Sequence, residues 1–383
     1  MRTRAPRCKA LWIFSVLVAC GPLEKKPHED FGLNRLELRV RSEDLADLNG
    51  AVINKKPVPA DLKIDGQWHQ GTIRYSGQGT IDDLKKSYEI GFGGNKVRAR
   101  KTFRLNAQSV DPTAMHSLLG SEAFRAMGVL APIIEPFAVY LNDEYQGLFF
   151  LMENIDDEFF ANRTIPIATY YKAFLSLATF ASPSANDVEA TWNVRTNPAA
   201  VGDLIRLIEL VNLEITPETD AELESRVDID GYLQYLATAV YLNHFDGFVN
   251  NFIMYREPNT QAFRFVAWDF DRVYESFESN TNYLDGYLYD RSRLARRVLL
   301  NPEWRRRYFA QLDKTFETLT PGMMESMIER FADTIGRAFA ADRVLSPKGA
   351  GIAEQQASIQ RNVQAWLSSL YRDTARKRNK FPF

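Results

Sequence analysis

Two cysteines in 383 residues cannot build a disulfide scaffold, and four histidines, at 28, 69, 116 and 244, leave no zinc-site spacing. Any metal is therefore expected on oxygen ligands. Excess positive charge is missing too: 47 Lys and Arg against 49 Asp and Glu give a net charge of −2, so there is no general field for wrapping nucleic acid and no such partner is expected. The apolar run at residues 10–19 falls far short of the roughly 20 residues that span a bilayer. There is no Walker A motif, no G-x-G-x-x-G and no G-x-S-x-G. With 45% hydrophobic, 12% aromatic and 25% charged residues the composition is globular, and the length suggests two or three structural units of about 150 residues each.

Arg2, Arg4, Arg7 and Lys9 precede the apolar run, and Cys20 and Gly21 close it. That order is a secretory signal. Leu17-Val18-Ala19-Cys20 resembles the bacterial lipobox, which implies a signal peptide over residues 1–19, lipidation of Cys20, and an exported lipoprotein held at the cell envelope by its lipid anchor. An ordinary signal peptide with an incidental cysteine is the alternative. Cleavage removes four positive charges and leaves 43 against 49.

A polar tether is expected over residues 20–34. The chain then reads β-rich over 35–155 and mostly helical over 156–383, an α+β layout. Residues 36–40, 73–75 and 87–92 read as strands, and Ser42 as the N-cap of a short acidic helix. Asp111-Pro112 predicts a helix start, with Met115, Leu118, Leu119, Ala123 and Met127 lining one face before Gly128. Residues 133–141 and 146–152 predict a hairpin. Arginines at 291, 293, 296, 297 and 305–307 read as a solvated helix face, with a phosphate site as the alternative.

The chemistry concentrates in two segments. His244-Phe245-Asp246 with Asn251 has the H-x-D-x-x-x-x-N spacing of a kinase catalytic loop, and Trp268-Asp269-Phe270-Asp271 ends an apolar strand with two carboxylates. Phosphoryl transfer needs such a set: a base to orient the nucleophile and oxygen ligands for a divalent ion. Either motif alone is also met as an Asx-turn or cap.

Together with Ile73-Arg74-Tyr75-Ser76-Gly77, Lys85-Lys86-Ser87-Tyr88-Glu89-Ile90, residues 101–106, the hairpin at 140–149 and Asn301-Pro302-Glu303-Trp304, these motifs are colinear with the spore-coat H (CotH) family of atypical protein kinases, which the chain resembles from about residue 36 to 372. The resemblance implies a two-lobed protein-kinase-like fold, a β-rich N-lobe with one main helix and a mostly helical C-lobe, that uses ATP and Mg²⁺ or Mn²⁺ to phosphorylate Ser or Thr of a protein substrate. Carried over, Asp246 is the catalytic acid and Asp269 a metal ligand, with Asn251 and Asp271 as further ligands. Lys86, opening a strand, is the phosphate-binding candidate, with Glu122 to orient it; strand-edge charges are the alternative. Arg104 and Lys172 are further phosphate candidates, and Glu153, Asn154 and Ile155 stand where a hinge would offer backbone groups to adenine. The loop Ser76-Gly77-Gln78-Gly79-Thr80 and Asp143 in the hairpin turn depart from the family pattern. A catalytically silent, surface-anchored interaction or adhesion protein is the alternative function; a metal-dependent hydrolase lacks a landmark.

Overall fold

A computed structural model describes residues 29–378 apart from 51, 54–55, 78, 174–177, 196, 198–199, 276–291, 348 and 350. The expected signal peptide, Cys20, most of the tether and Arg291 lie outside the described residues. Residues from Phe31 onward form one compact unit. Phe31 is buried against Tyr145, their ring centroids 4.7 Å apart, so the expected tether is already part of the fold before residue 34.

The unit is a mixed α/β structure. Strands β1 (Asn34–Arg39), β2 (Val58–Ile64), β3 (Gln67–Ser76), β4 (Ser87–Gly91), β5 (Thr102–Asn106), β6 (Ile134–Leu141) and β7 (Glu144–Glu153) close into a barrel in the order β1-β2-β3-β4-β5-β7-β6. Every neighbouring pair is antiparallel except β1 with β6, whose parallel pairing shuts the barrel. Burial alternates along the strands, as in Val58 to Ile64, because successive side chains point to opposite faces. The inward set, including Leu36, Leu62, Ile73, Ile90, Leu105 and Phe149, fills the barrel.

Helix α1 (Ser42–Gly50) packs against β2, its Leu48 joining the barrel's core cluster, and α2 (His116–Ala126) separates β5 from β6. The helix begins later than Asp111-Pro112 predicts. Asp111 is fully buried, and its carboxylate accepts from the backbone N–H of Thr113, Ala114 and His116. Those bonds hold 111–115 as a turn, with Ala114 at φ 53°, and delay the helix to His116.

After α3 (Asp157–Ala161) comes a second sheet, formed by β8 (Thr169–Ala173), β9 (Trp192–Arg195), β10 (Phe252–Arg256) and β11 (Phe263–Ala267) in the order β11-β10-β8-β9. The helices of this part are α4 (Ala185–Thr191), α5 (Val201–Val211), α6 (Pro217–Arg226), α7 (Ile229–Tyr241), α8 (Arg293–Leu300), α9 (Pro302–Thr318), α10 (Pro321–Ala341) and α11 (Ala353–Arg378). Several start as local chemistry dictates: Asn301 caps α9 and Thr320 caps α10, each followed by proline at the first position. In the arginine-rich stretch Arg293, Arg296 and Arg306 are exposed as a solvated face, whereas two others make ion pairs between helices. Arg297 is buried and pairs with Asp220 at 2.5 Å, and Arg307 pairs with Glu224 and Asp230.

The barrel is fixed to the helical part by a buried ion pair. Lys85 Nζ lies 2.6 Å from Asp342 Oδ2, with the two side chains 4% and 1% exposed. Lys85 also donates to the Leu148 carbonyl (2.5 Å), while Asp342 accepts from the backbone N–H of Leu148, Val344 and Leu345. Burial lowers the Lys85 pKa to about 8 against the attraction of Asp342. Such a pair is costly to form, and breaking it by removing one partner strands a charge. Lys85→Met should therefore destabilise the protein by about 3–5 kcal/mol in urea unfolding, and Asp342→Leu added to it should cost less than the sum of the single changes.

Candidate active site

Strand β11 delivers Trp268-Asp269-Phe270-Asp271 to the base of a cleft of about 630 Å³ between the barrel and the second sheet. Asp269 turns the chain at φ 59°, and Phe270 drops into the core among Phe124 and His244. Helix α2 rests on that ring at Gly120, where any Cβ would collide with Phe270. The helix from the barrel side and the carboxylate-bearing turn are thus seated on each other.

Asp246 sits in a short 3-10 helix, Phe245–Phe248, between α7 and β10. Its carbonyl gathers the following loop, accepting from the N–H of Asn250 and Asn251, both at 2.9 Å. Asn251 Nδ2 donates to the Asp269 carbonyl at 3.3 Å, and Asn250 Nδ2 donates to Asn251 Oδ1 at 2.8 Å. Tyr235 Oη donates to the Gly247 carbonyl at 2.6 Å from beneath. The two sequence motifs are therefore stitched together, and Asp246, Asn251, Asp269 and Asp271 all line one cleft.

Asp271 is pushed well above the usual carboxylate range, first by burial and then by the neighbouring charges of Asp269 and Asp111, against the pull of Arg272. His116 Nδ1 lies 3.2 Å from the Asp271 carbonyl and links α2 to the same turn. Crowded carboxylates of this kind suit a hard cation. Among the described residues no group of three or more His, Cys, Asp or Glu side chains is gathered for a metal. Two carboxylates and an amide, Asp269, Asp271 and Asn251, fit an ion such as Mg²⁺, which keeps water or phosphate oxygens as its remaining ligands.

Cations line the same cleft. Lys172 of β8 stands 4.9 Å over the Trp268 ring and Arg104 of β5 stands 5.1 Å from it. The Lys172 pKa falls to about 8, through burial first and then the repulsion of Arg104, with Asp269 opposing. Arg104 Nε is buried without a hydrogen-bond partner among the described residues. Both residues were secondary candidates in the sequence; the structure puts them beside the acids.

Other expected positions are corrected. Lys86 does not line the cleft: its ammonium donates to the Asp83 carbonyl at 2.8 Å and faces Tyr75. Glu122 points away from it to Arg330, so no Lys86–Glu122 pair forms. Glu153, Asn154 and Ile155 also lie off the cleft. The Asn154 carbonyl accepts from buried Arg100, the Glu153 N–H donates to Ile133, and the Glu153 carboxylate holds Arg163. Sequence reasoning passed over Arg74, Glu89, Asn193 and Arg195, which line the cleft. For Arg74 and Glu89 the signal was alternation, since they are the polar positions of strands whose neighbours are apolar.

The family model described as CotH kinase protein matches residues 73–376. Inner spore coat protein H of Bacillus subtilis is 28% identical over 297 residues, covering 74% of this chain and 81% of that protein. The crystal structure of the Helicobacter pylori proinflammatory kinase CtkA superposes with a TM-score of 0.36 at 10% identity, covering 75% of this chain and 93% of that one, a likeness too distant to rest on.

Two outcomes follow from this packing. Gly120→Ala should displace α2 from Phe270 and cost about 1–3 kcal/mol, measured by urea unfolding. His244 is buried, which lowers its pKa to about 4, while the backbone of Asn251 and Trp268 acts the other way. The unfolded chain takes up this proton near pH 6.5 and the folded one only near 4. Stability from this group is full above pH 6.5 and drains as pH falls towards 4. His244→Asn should flatten the pH dependence of the unfolding midpoint in that window; an unchanged slope would assign the loss to other groups.

Proposed function

Because the chain belongs to the CotH kinase protein family, we propose that it is an atypical protein kinase of two-lobed, kinase-like build that moves the γ-phosphate of ATP to Ser or Thr hydroxyls of a protein. The observation that carries this reading is the convergence of Asp246 and Asp269, 23 positions apart in sequence, on one cleft bordered by Lys172 and Arg104. Asp246 would orient the acceptor hydroxyl and take its proton. Asp269, Asn251 and Asp271 would hold a divalent cation, which when bound neutralises charge on the phosphates. Lys172 and Arg104, both set against the Trp268 ring, would bind phosphate oxygens and compensate their charge.

We further propose that the protein is exported and held outside the cytoplasm. We propose that Cys20 is lipidated, on the strength of Leu17-Val18-Ala19-Cys20 behind a basic start. Cys20→Ser should release the protein from the membrane fraction or leave it unprocessed, and normal membrane retention would overturn the assignment.

Asp246→Asn should keep nucleotide affinity within a few-fold while lowering transfer by about a hundredfold or more, since a general base contributes chiefly to the transition state. Asp269→Asn should weaken metal-dependent ATP binding itself. Titration calorimetry with Mg-ATP and radiolabelled transfer to casein check both. Wild-type protein that binds Mg-ATP yet phosphorylates neither itself nor casein would point instead to a silent binding role.

A further inference from the structure

The outer face of the barrel above the cleft is polar in a regular way. On β3, Arg74 and Ser76 face the cleft; on β4, Ser87 and Glu89; on β5, Arg104 and Asn106. The register sets Arg74 opposite Glu89 and Glu89 opposite Arg104, with Ser76 opposite Ser87. Between them Ile73, Tyr75, Tyr88, Ile90, Phe103 and Leu105 point into the barrel core. The result is a row of cation, anion and cation across three strands, beside a row of hydroxyls and an amide.

Among the described residues, Arg104 Nε and Ser76 Oγ in this roof have no partner, the latter on a residue only 7% exposed. The two arginines are held differently. Arg104 is drawn over Trp268, whereas Arg74 is gripped by Glu89, with Nε and Nη2 both directed at Oε1 at 2.9 and 2.7 Å. Adjacent strands lie about 4.8 Å apart, so the backbones of Arg74 and Arg104 are separated by roughly 10 Å. An unrestrained arginine could swing across that gap to share a single phosphate. The pair with Glu89 sets the Arg74 guanidinium beside β4.

We infer that Glu89 is a positioning residue, which holds Arg74 so that the roof meets a chain of three phosphates at both ends, Arg104 at one and Arg74 at the other. This rests on the phosphotransferase reading and deepens it. It replaces the expected Lys86–Glu122 pair with one built inside the sheet. The Arg74–Glu89 pair is partly exposed, 40% and 27%, so it contributes little to stability and its loss can be read in binding.

The test is calorimetry of the full protein with phosphate, pyrophosphate and tripolyphosphate, each with and without Mg²⁺. Wild type should prefer tripolyphosphate to pyrophosphate by about tenfold or more, as expected when one further charge-assisted hydrogen-bond donor is engaged. Arg74→Gln should erase that step and leave pyrophosphate affinity within about twofold. Glu89→Gln is diagnostic by its sign. As a mere counter-charge its removal would tighten every anion alike; as a positioning residue its removal lowers tripolyphosphate affinity despite the lost negative charge, and Glu89→Asp restores part of it. Uniform tightening in Glu89→Gln, an intact step in Arg74→Gln, or no step in wild type would each overturn the inference. Failure of the kinase reading would show separately, as absent phosphate transfer by a wild-type protein whose tripolyphosphate step is intact.

Discussion

The barrel is tied to the helical part by Lys85 and Asp342, buried against each other. Their desolvation is offset by near-complete hydrogen bonding: the Leu148 carbonyl for the ammonium, and the N–H groups of Leu148, Val344 and Leu345 for the carboxylate. Close approach is possible only at Gly147, whose φ of 122° and missing Cβ leave room for the Asp342 carboxylate. Lys85 stands two residues before β4, the central strand of the polar roof, and Asp342 ends α10. One contact therefore ties the strand that carries Glu89 to a long helix of the other half.

That same helix reaches the second half of the site. Arg330 of α10 pairs with Glu122 of α2, and α2 in turn carries Gly120, on which the Phe270 ring is seated, and His116, which faces the Asp271 carbonyl. Roof and floor are thus referred to one element, and the distance between the cations above and the carboxylates below is set by side-chain packing more than by the connecting chain at 153–156. There Arg100, itself 1% exposed, holds the Asn154 carbonyl and the Asp156 carboxylate. The Glu153 N–H and the Asn154 carbonyl, two of the groups expected to meet adenine, are thus engaged within the protein.

What the sequence disclosed was whatever is encoded locally. The five-residue offset of Asp246 and Asn251 survives folding because the Asp246 carbonyl organises its own loop, and the 133–152 hairpin and the strand before Asp269 follow from alternation and apolar runs. Lys85 and Lys86 were not separable in the same way. Both lie just before β4, and which of the two is buried is decided by Asp342, a partner far away in sequence. Glu122 was read from the face of its helix, but its partner, Arg330, is 208 positions distant. Arg74 and Glu89 stood in plain view within quoted motifs; their pairing became visible only once β3 and β4 were aligned.

Barrel closure is what makes a polar roof affordable. An open sheet covering a cleft must bury at least one face, and in a small lobe the face toward the other half is the natural one to make apolar. Here the parallel pairing of β1 with β6 closes the sheet on itself, and its interior supplies a core from Leu36 to Leu151 that needs no help from the helical part. The outward face of β3, β4 and β5 is then free of any packing duty. Charged and hydroxyl side chains can occupy every second position on three consecutive strands without leaving a hole in a core, and they stand in a register fixed by the ladder beneath them. A cleft wall built this way holds its charges at strand spacing, so its selectivity resides in the backbone geometry of the barrel as much as in the identity of the residues it displays.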